Sequence, residues 1–216
     1  MVERVNVVIV GGHGQIALRL EKLLAERGDS PRGIIRSTEQ APDLETIGAE
    51  PIVLDIENME IDDAVAGADA VVFAAGAGAG SGPARKQTVD YAGAVKLIDA
   101  AASHDIRRYV IVSAIGANRP ERWSEQMRPY YEAKAAADEA VTESGLDYTI
   151  VRPGGLTDDP GTGKVKVAEK LESGGSVTRD DVALVIAEAL VADNTIGKAF
   201  DLLNGDTPVK EALAGL

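Results

Sequence analysis

Val5-Asn6-Val7-Val8-Ile9-Val10-Gly11-Gly12-His13-Gly14-Gln15-Ile16-Ala17 is the stretch that decides the fold. Its first half is an apolar, β-branched run of the length of one buried strand. Ile16, Leu20, Leu23 and Leu24 then fall on one face of a helix that should stop at Gly28. The glycines between strand and helix fit either Gly12-x-Gly14-x-x-Ala17 or Gly11-x-x-Gly14-x-x-Ala17. Small residues there permit a tight turn, let backbone N–H groups reach a pyrophosphate, and let helix pack on strand. A plain strand-to-helix turn without a ligand is the competing explanation.

Outward from that turn the pattern repeats. Short apolar runs at Gly33–Ile35, Ile52–Leu54, Ala70–Ala74, Tyr109–Val112, Tyr148–Val151 and Ala199–Leu203 read as strands covered on both faces. Helical periods separate them, at Ala84–Ser103, Tyr130–Ser144 and Arg179–Val191. The last is started by a capping pair, Thr178 and Asp181. Strand alternating with helix from end to end predicts an α/β fold: one doubly wound parallel sheet of the Rossmann kind, helices on both faces, residues 1–216 forming a single domain.

Composition narrows the partners. The 216 residues carry 35 acidic against 22 basic side chains, a net charge of −13, with no basic stripe, so nucleic acid is not expected. There is no cysteine and only His13 and His104, which leaves little for thiol chemistry or a metal site. No secretion leader opens the sequence and no apolar run is long enough to cross a bilayer, so a cytoplasmic protein without membrane contact is expected. A monomer and a homodimer are equally compatible with the sequence.

Several residues can serve a dinucleotide on the strands' C-terminal edge. The adenosine ribose should be read about 20 residues beyond the glycines. Arg36 and Ser37 stand there; an arginine suits a 2′-phosphate where an acid would suit a 2′-hydroxyl, so NADP(H) is expected over NAD(H). Asp55 and Ile56 follow the third strand, either against the adenine or as a turn. Ala75-Gly76-Ala77-Gly78-Ala79-Gly80-Ser81-Gly82 follows the fourth, either as a loop that a cofactor approaches closely or as a linker.

The candidate chemistry rests on Ser113, closing the fifth strand, and on Tyr130 and Lys134, one helical turn apart. A lysine ammonium beside the phenol would lower its pKa and ready it for proton exchange, while Ser113 would bind a substrate carbonyl. Tyr-x-x-x-Lys alone is common on ordinary helices, and Tyr131 stands next door.

With these residues in view, the chain resembles an atypical short-chain dehydrogenase/reductase, of the compact group similar to NmrA-like and biliverdin reductase B-like proteins. The resemblance rests on the glycine turn, Asp55, Ala74-Ala75-Gly76, Val112-Ser113-Ala114, Tyr130 to Lys134, and Ser144 through Gly154 with its Val151-Arg152-Pro153-Gly154 end. It implies cofactor contacts for Gly11, His13, Gly14, Gln15 and Ile16, for Ala74, Ala75 and Gly76, for Lys134 on the nicotinamide ribose, and for Pro153, Gly154, Gly155 and Leu156. Arg152-Pro153 as a mere strand end is the alternative. Asp90 stands where relatives carry a tetrad asparagine; an ionised Asp cannot donate as an amide does, and Asp90 can instead orient the cofactor loop or Lys134.

No separate substrate domain is expected, so the loops Gly116–Arg128 and Thr157–Gly175 should shape the substrate pocket. Trp123, Met127, Pro120 and Pro129 either line it or form a satellite cluster. Asp158 and Asp159 read as a solvated turn. The expected activity is hydride transfer to or from a small carbonyl, quinone or flavin-like substrate by an NADP(H)-binding oxidoreductase. The alternatives are a non-catalytic NADP(H) sensor with a protein partner and, less suited to the missing domain, a sugar-nucleotide epimerase or dehydratase.

Overall fold

The structure is a computed structural model that describes all residues except 1–3, 79 and 173. In chain order it builds β1 (Asn6–Val10), α1 (Gln15–Arg27), β2 (Ser30–Ile35), α2 (Ala41–Thr46), β3 (Glu50–Val53), α3 (Asp62–Val65), β4 (Ala70–Phe73), α4 (Pro83–Arg85), α5 (Ala92–Ser103), β5 (Arg108–Val112), α6 (Arg128–Glu143) and β6 (Asp147–Pro153). There follow β7 (Gly155–Thr157), β8 (Lys164–Ala168), β9 (Ser176–Thr178), α7 (Arg179–Ala189), β10 (Lys198–Asn204), β11 (Thr207–Pro208) and α8 (Val209–Ala214).

The nine-stranded sheet runs β11-β8-β10-β6-β5-β4-β1-β2-β3, and β7 pairs with β9 apart from it. From β10 to β3 every neighbour is parallel; β8 joins β10 and β11 antiparallel. Alternation along each strand divides the core. Val7, Ile9, Val72 and Val110 pack on one face with α1, α7 and α8. Val8, Val10, Phe73, Tyr109 and Ile111 pack on the other with α5 and α6. A strand buried on both faces has no polar side to spare, which is why these runs read as uniformly apolar.

Two expectations change. The helix predicted over Ala84–Ser103 is interrupted: α4 passes through a wide π turn, Lys86–Tyr91, before α5. Such an insertion shifts which side chains share a face and recurs at functional sites. The loop predicted over Thr157–Gly175 contains β8, an edge strand of the main sheet. Asp181 draws that segment in, its carboxylate accepting from Thr162 N at 3.0 Å and Gly163 N at 2.7 Å. Leu171 is held further along, its N–H donating to Asp201 at 2.9 Å and its carbonyl accepting from Arg119 at 2.9 Å. Among the described residues no helix is long and apolar enough to cross a membrane.

Candidate functional site

β1 has β2 on one side and β4 on the other, so the chain's direction of winding reverses beside it. A crevice opens there at the strands' C-terminal ends, the place where open α/β sheets bind ligands. The glycine turn forms its floor. Gly11 has φ 86°, and a Cβ on it would lie 2.7 Å from Ala75 Cα; a Cβ on Gly12 would lie 2.7 Å from Gly33 Cα. Side chains are thus excluded by neighbouring backbone as well as by the turn itself. Gly14 caps α1 with no side chain on the helix's free N–H groups, leaving them to an incoming anion.

Two cavities meet along this edge and share Ala74 to Gly78 as a common wall. The first, about 320 Å³, is lined by Gly11, His13, Gly14, Arg36, Asp55, Ile56, Ala74, Ala75 and Gly76 among the predicted residues. Gln40, Leu54, Glu57, Arg85 and Val89 also line it, and the sequence reading passed over them. His13 is held by two side chains of the segment that follows β2: Nε2 lies 2.7 Å from Asp43 and Nδ1 3.2 Å from Gln40 Nε2. Arg36 is exposed and, among the described residues, meets no carboxylate within ion-pair distance. The turn role of Asp55 is real: its carboxylate accepts from Glu57 N at 3.0 Å and Asn58 Nδ2 at 2.6 Å. Those two hydrogen bonds, Asn58 first, hold its pKa below the ordinary value. Ser37 and Gln15 do not line either cavity. The Ser37 hydroxyl turns to Glu39, and Gln15 Oε1 accepts from Arg19 at 2.9 Å.

The second cavity, about 910 Å³, brings together Ile16, Asp90, Ser113, Tyr130, Lys134, Pro153, Gly154, Gly155 and Leu156. Of the two loops expected to shape it, only the first contributes, through Gln126 and Met127; the segment after Thr157 is committed to the sheet edge instead. Lys86 and Arg179 also reach it. Trp123 belongs to a satellite cluster, stacking on Tyr131 at 5.8 Å and donating to Gly116 O at 2.8 Å, whereas Met127 faces the cavity. Gly154 has a packing reason of its own, since a Cβ there would meet Leu203 Cδ2 at 2.4 Å. Asp158 pairs with Arg179 at 2.9 Å, fixing that arginine beside α7.

Asp90 ties the centre of the site. Its Oδ1 lies 3.1 Å from Lys134 Nζ, both side chains buried, and its Oδ2 accepts from Ala77 N at 3.0 Å. Lys134 also donates to Val112 O at 3.2 Å. One carboxylate therefore grips both the loop after β4 and the lysine, which accounts for an acid at this position.

The lysine does not lower the Tyr130 pKa as expected. Burial, then the carboxylate of Asp90, push the phenol well above its usual value of 10. The ammonium that should have drawn the proton away is neutralised by Asp90. Ser113 is buried, and its hydroxyl faces Asp138, whose charge it helps to stabilise, although neither Ser113 Oγ nor Asp138 Oδ1 closes a well-formed hydrogen bond. Asp138 follows Lys134 by one more turn on α6 and is anchored by Arg152 Nε at 2.9 Å. Burial still raises its pKa.

A dinucleotide fits this crevice. The floor rejects a Cβ, the N–H groups of α1 open onto it, Arg36 waits without a carboxylate, and both cavities lie along one edge. The family model described as NAD(P)H-binding matches residues 11–193. The chain is 45% identical to the Bacillus subtilis protein named uncharacterized sugar epimerase YhfK, covering 98% of this chain and 100% of that one. A solved structure from Bacillus halodurans, described as a putative NAD-dependent epimerase/dehydratase, superimposes with TM-score 0.95 at 41% identity over 98% of this chain and 100% of that one. ChuY, an anaerobilin reductase from Escherichia coli, superimposes with TM-score 0.78 at 26% identity, covering 93% and 98% of the two chains. The family model spans most of a chain whose glycine floor lies beside the sheet's reversal point: the chain belongs to the NAD(P)H-binding family, on a Rossmann fold of the atypical short-chain dehydrogenase/reductase kind.

Proposed function

We propose that the chain is an NADP(H)-dependent oxidoreductase acting on a small carbonyl, quinone or flavin-like substrate. The carrying observation is that the glycine-floored cavity runs on into one lined by Ser113, Tyr130 and Lys134. Arg36 would hold the 2′-phosphate, the α1 N-terminus the pyrophosphate, and Lys134 with Pro153 to Leu156 the nicotinamide end. When bound, the nicotinamide supplies or takes up hydride. Tyr130 holds the proton that balances it: with its pKa raised, the phenol donates to a substrate oxygen as reduction proceeds. Asp90 keeps Lys134 in place and limits the positive charge beside the phenol, so Tyr130 rests in the protonated form that reduction uses. Met127, Leu156 and the faces of Tyr130 and Tyr131 offer a planar substrate an apolar wall. ChuY is a reductase by name, in agreement with this direction.

Titration with NADPH and NADH, followed by Trp123 fluorescence, tests the cofactor. Arg36→Ala should weaken NADPH about tenfold and leave NADH unchanged, as expected for one charge-assisted contact near the surface. Equal affinities in both proteins would overturn the 2′-phosphate role. Oxidation of NADPH over a panel of quinones, flavins and conjugated carbonyls tests the activity. Tyr130→Phe should lower kcat by about 100-fold at unchanged cofactor affinity.

The raised Tyr130 pKa and the neutralised Lys134 also suit a second reading, a protein that binds NADP(H) and signals its redox state without turnover. Tight NADPH binding with no oxidation across the panel would favour it.

A further inference from the structure

Lys86 is the cation of the larger cavity that the chain leaves unassigned. Lys134 is matched by Asp90 at 3.1 Å and Arg179 by Asp158 at 2.9 Å. At the adjoining cavity Arg85 is matched by Glu57 at 3.1 Å. Lys86, half-buried in the first turn of the π segment, meets no carboxylate within ion-pair distance among the described residues. Its ammonium lies 5.3 Å from the centre of the Tyr130 ring and, among the described residues, donates once, to Ser81 Oγ at 3.2 Å. Of its three N–H donors, two have no partner among the described residues.

Four residues apart, Lys86 and Asp90 share one face of the π segment, and both line the cavity, Lys86 half-buried beside Ser81 and Asp90 buried. The face of a phenol holds an ammonium in place without cancelling its charge. In a chain of net charge −13 an anionic substrate is repelled at long range, and a positive cavity is the means of admitting one.

We infer that Lys86 is a specificity residue for an acidic substituent, carboxylate-like in charge, on a planar conjugated substrate whose reacting oxygen lies at Tyr130. The planar substrate reacting at Tyr130 rests on the oxidoreductase reading; the acidic substituent rests on the cavity alone. The anion binds over the Tyr130 edge of the cavity, with Lys86 and Ser81 as its partners. The apolar wall of Met127 and Leu156 takes the ring.

The experiment is calorimetry on protein saturated with NADP⁺, which cannot reduce the probe. A naphthoquinone carboxylate and its carboxamide, matched in shape, serve as probes. Wild type should bind the carboxylate more tightly by about fivefold to tenfold, the range of one partly screened charge pair. Lys86→Gln should remove that preference while leaving carboxamide and NADP⁺ affinities unchanged. Lys86→Arg should keep it, and raising the salt should shrink it in wild type. Equal affinities in wild type, or a preference that survives Lys86→Gln, would overturn the inference. So would an equal loss of NADP⁺ affinity in Lys86→Gln, which would give the lysine to the cofactor. Carboxylate preference without any NADPH oxidation over the quinone panel would leave Lys86 as a ligand residue and remove the oxidoreductase reading instead.

Discussion

Glu21 is invisible as a special residue in the sequence, where it looks like a polar position on α1. In the fold it is wholly buried, wedged between the turn and β2: a Cβ on Gly33 would lie 2.4 Å from Glu21 Oε1 and one on Gly12 3.0 Å. Among the described residues neither carboxyl oxygen finds a partner, and burial pushes its pKa up to about 9. The unfolded chain releases this proton near pH 4.5 and the folded chain near 9, so folding stability falls as pH rises through that interval. Glu21→Gln should therefore match wild type below about pH 4 and exceed it by at least about 2 kcal/mol at pH 8, read by chemical denaturation. An equal pH slope in both proteins would show Glu21 to be ionised. Tyr130 sets a second test at this scale. Because its phenol is raised above 10, the reduction rate should show no loss from tyrosine ionisation between about pH 6 and pH 9. A basic limb removed by Tyr130→Phe would restore the lysine-lowered phenol that the sequence suggests.

At the scale of elements, apolar period and caps carried most of the information. α1 ends at Gly28, in the left-handed conformation at φ 95°, and α7 starts on Thr178, whose hydroxyl accepts from Asp181 N at 3.0 Å. Both ends were legible because local chemistry alone fixes them. The π turn at Lys86–Tyr91 was not, since the periodicity around it is helical and only tertiary contact favours the insertion. β8 was missed although Lys164-Val165-Lys166-Val167 alternates as a half-buried strand does; four residues are few, and the edge it pairs with, β10, is distant in sequence. Asp181 does more than cap: the same carboxylate orders Thr162 and Gly163 ahead of β8. Thr178→Ala should cost about 1 kcal/mol, the worth of one N-cap. Asp181→Ala should cost about 2–3 kcal/mol by stranding those N–H groups as well. Equal losses would mean that the loop is ordered by other contacts.

At the scale of the molecule, the sheet and its crevice follow from the order of strands; alternation of strand and helix indicated a doubly wound parallel sheet, while which strands are neighbours came from the structure. The predicted residues Gly11, Asp90, Ser113, Tyr130 and Lys134 lie along one edge because parallel strands all end there. Asp90 with Lys134 was reached through the family resemblance, but other pairings between distant residues stayed hidden: Asp138 with Arg152, Asp201 with Arg119. Each joins positions far apart in the chain, and nothing in local pattern selects among 35 acidic side chains.

The wall of Ala74 to Gly78, common to both cavities and pinned by Asp90 through Ala77, carries a kinetic consequence. On the proposed oxidoreductase reading, a dinucleotide lying across that wall should bound one side of the larger cavity and leave the Lys86 and Met127 side to the substrate. Arrival should then be ordered, dinucleotide first, and departure should reverse it. In steady-state work NADP⁺ should compete with NADPH alone, and the reduced substrate should be noncompetitive with NADPH. Above saturation the substrate should slow its own turnover by trapping the oxidised cofactor inside.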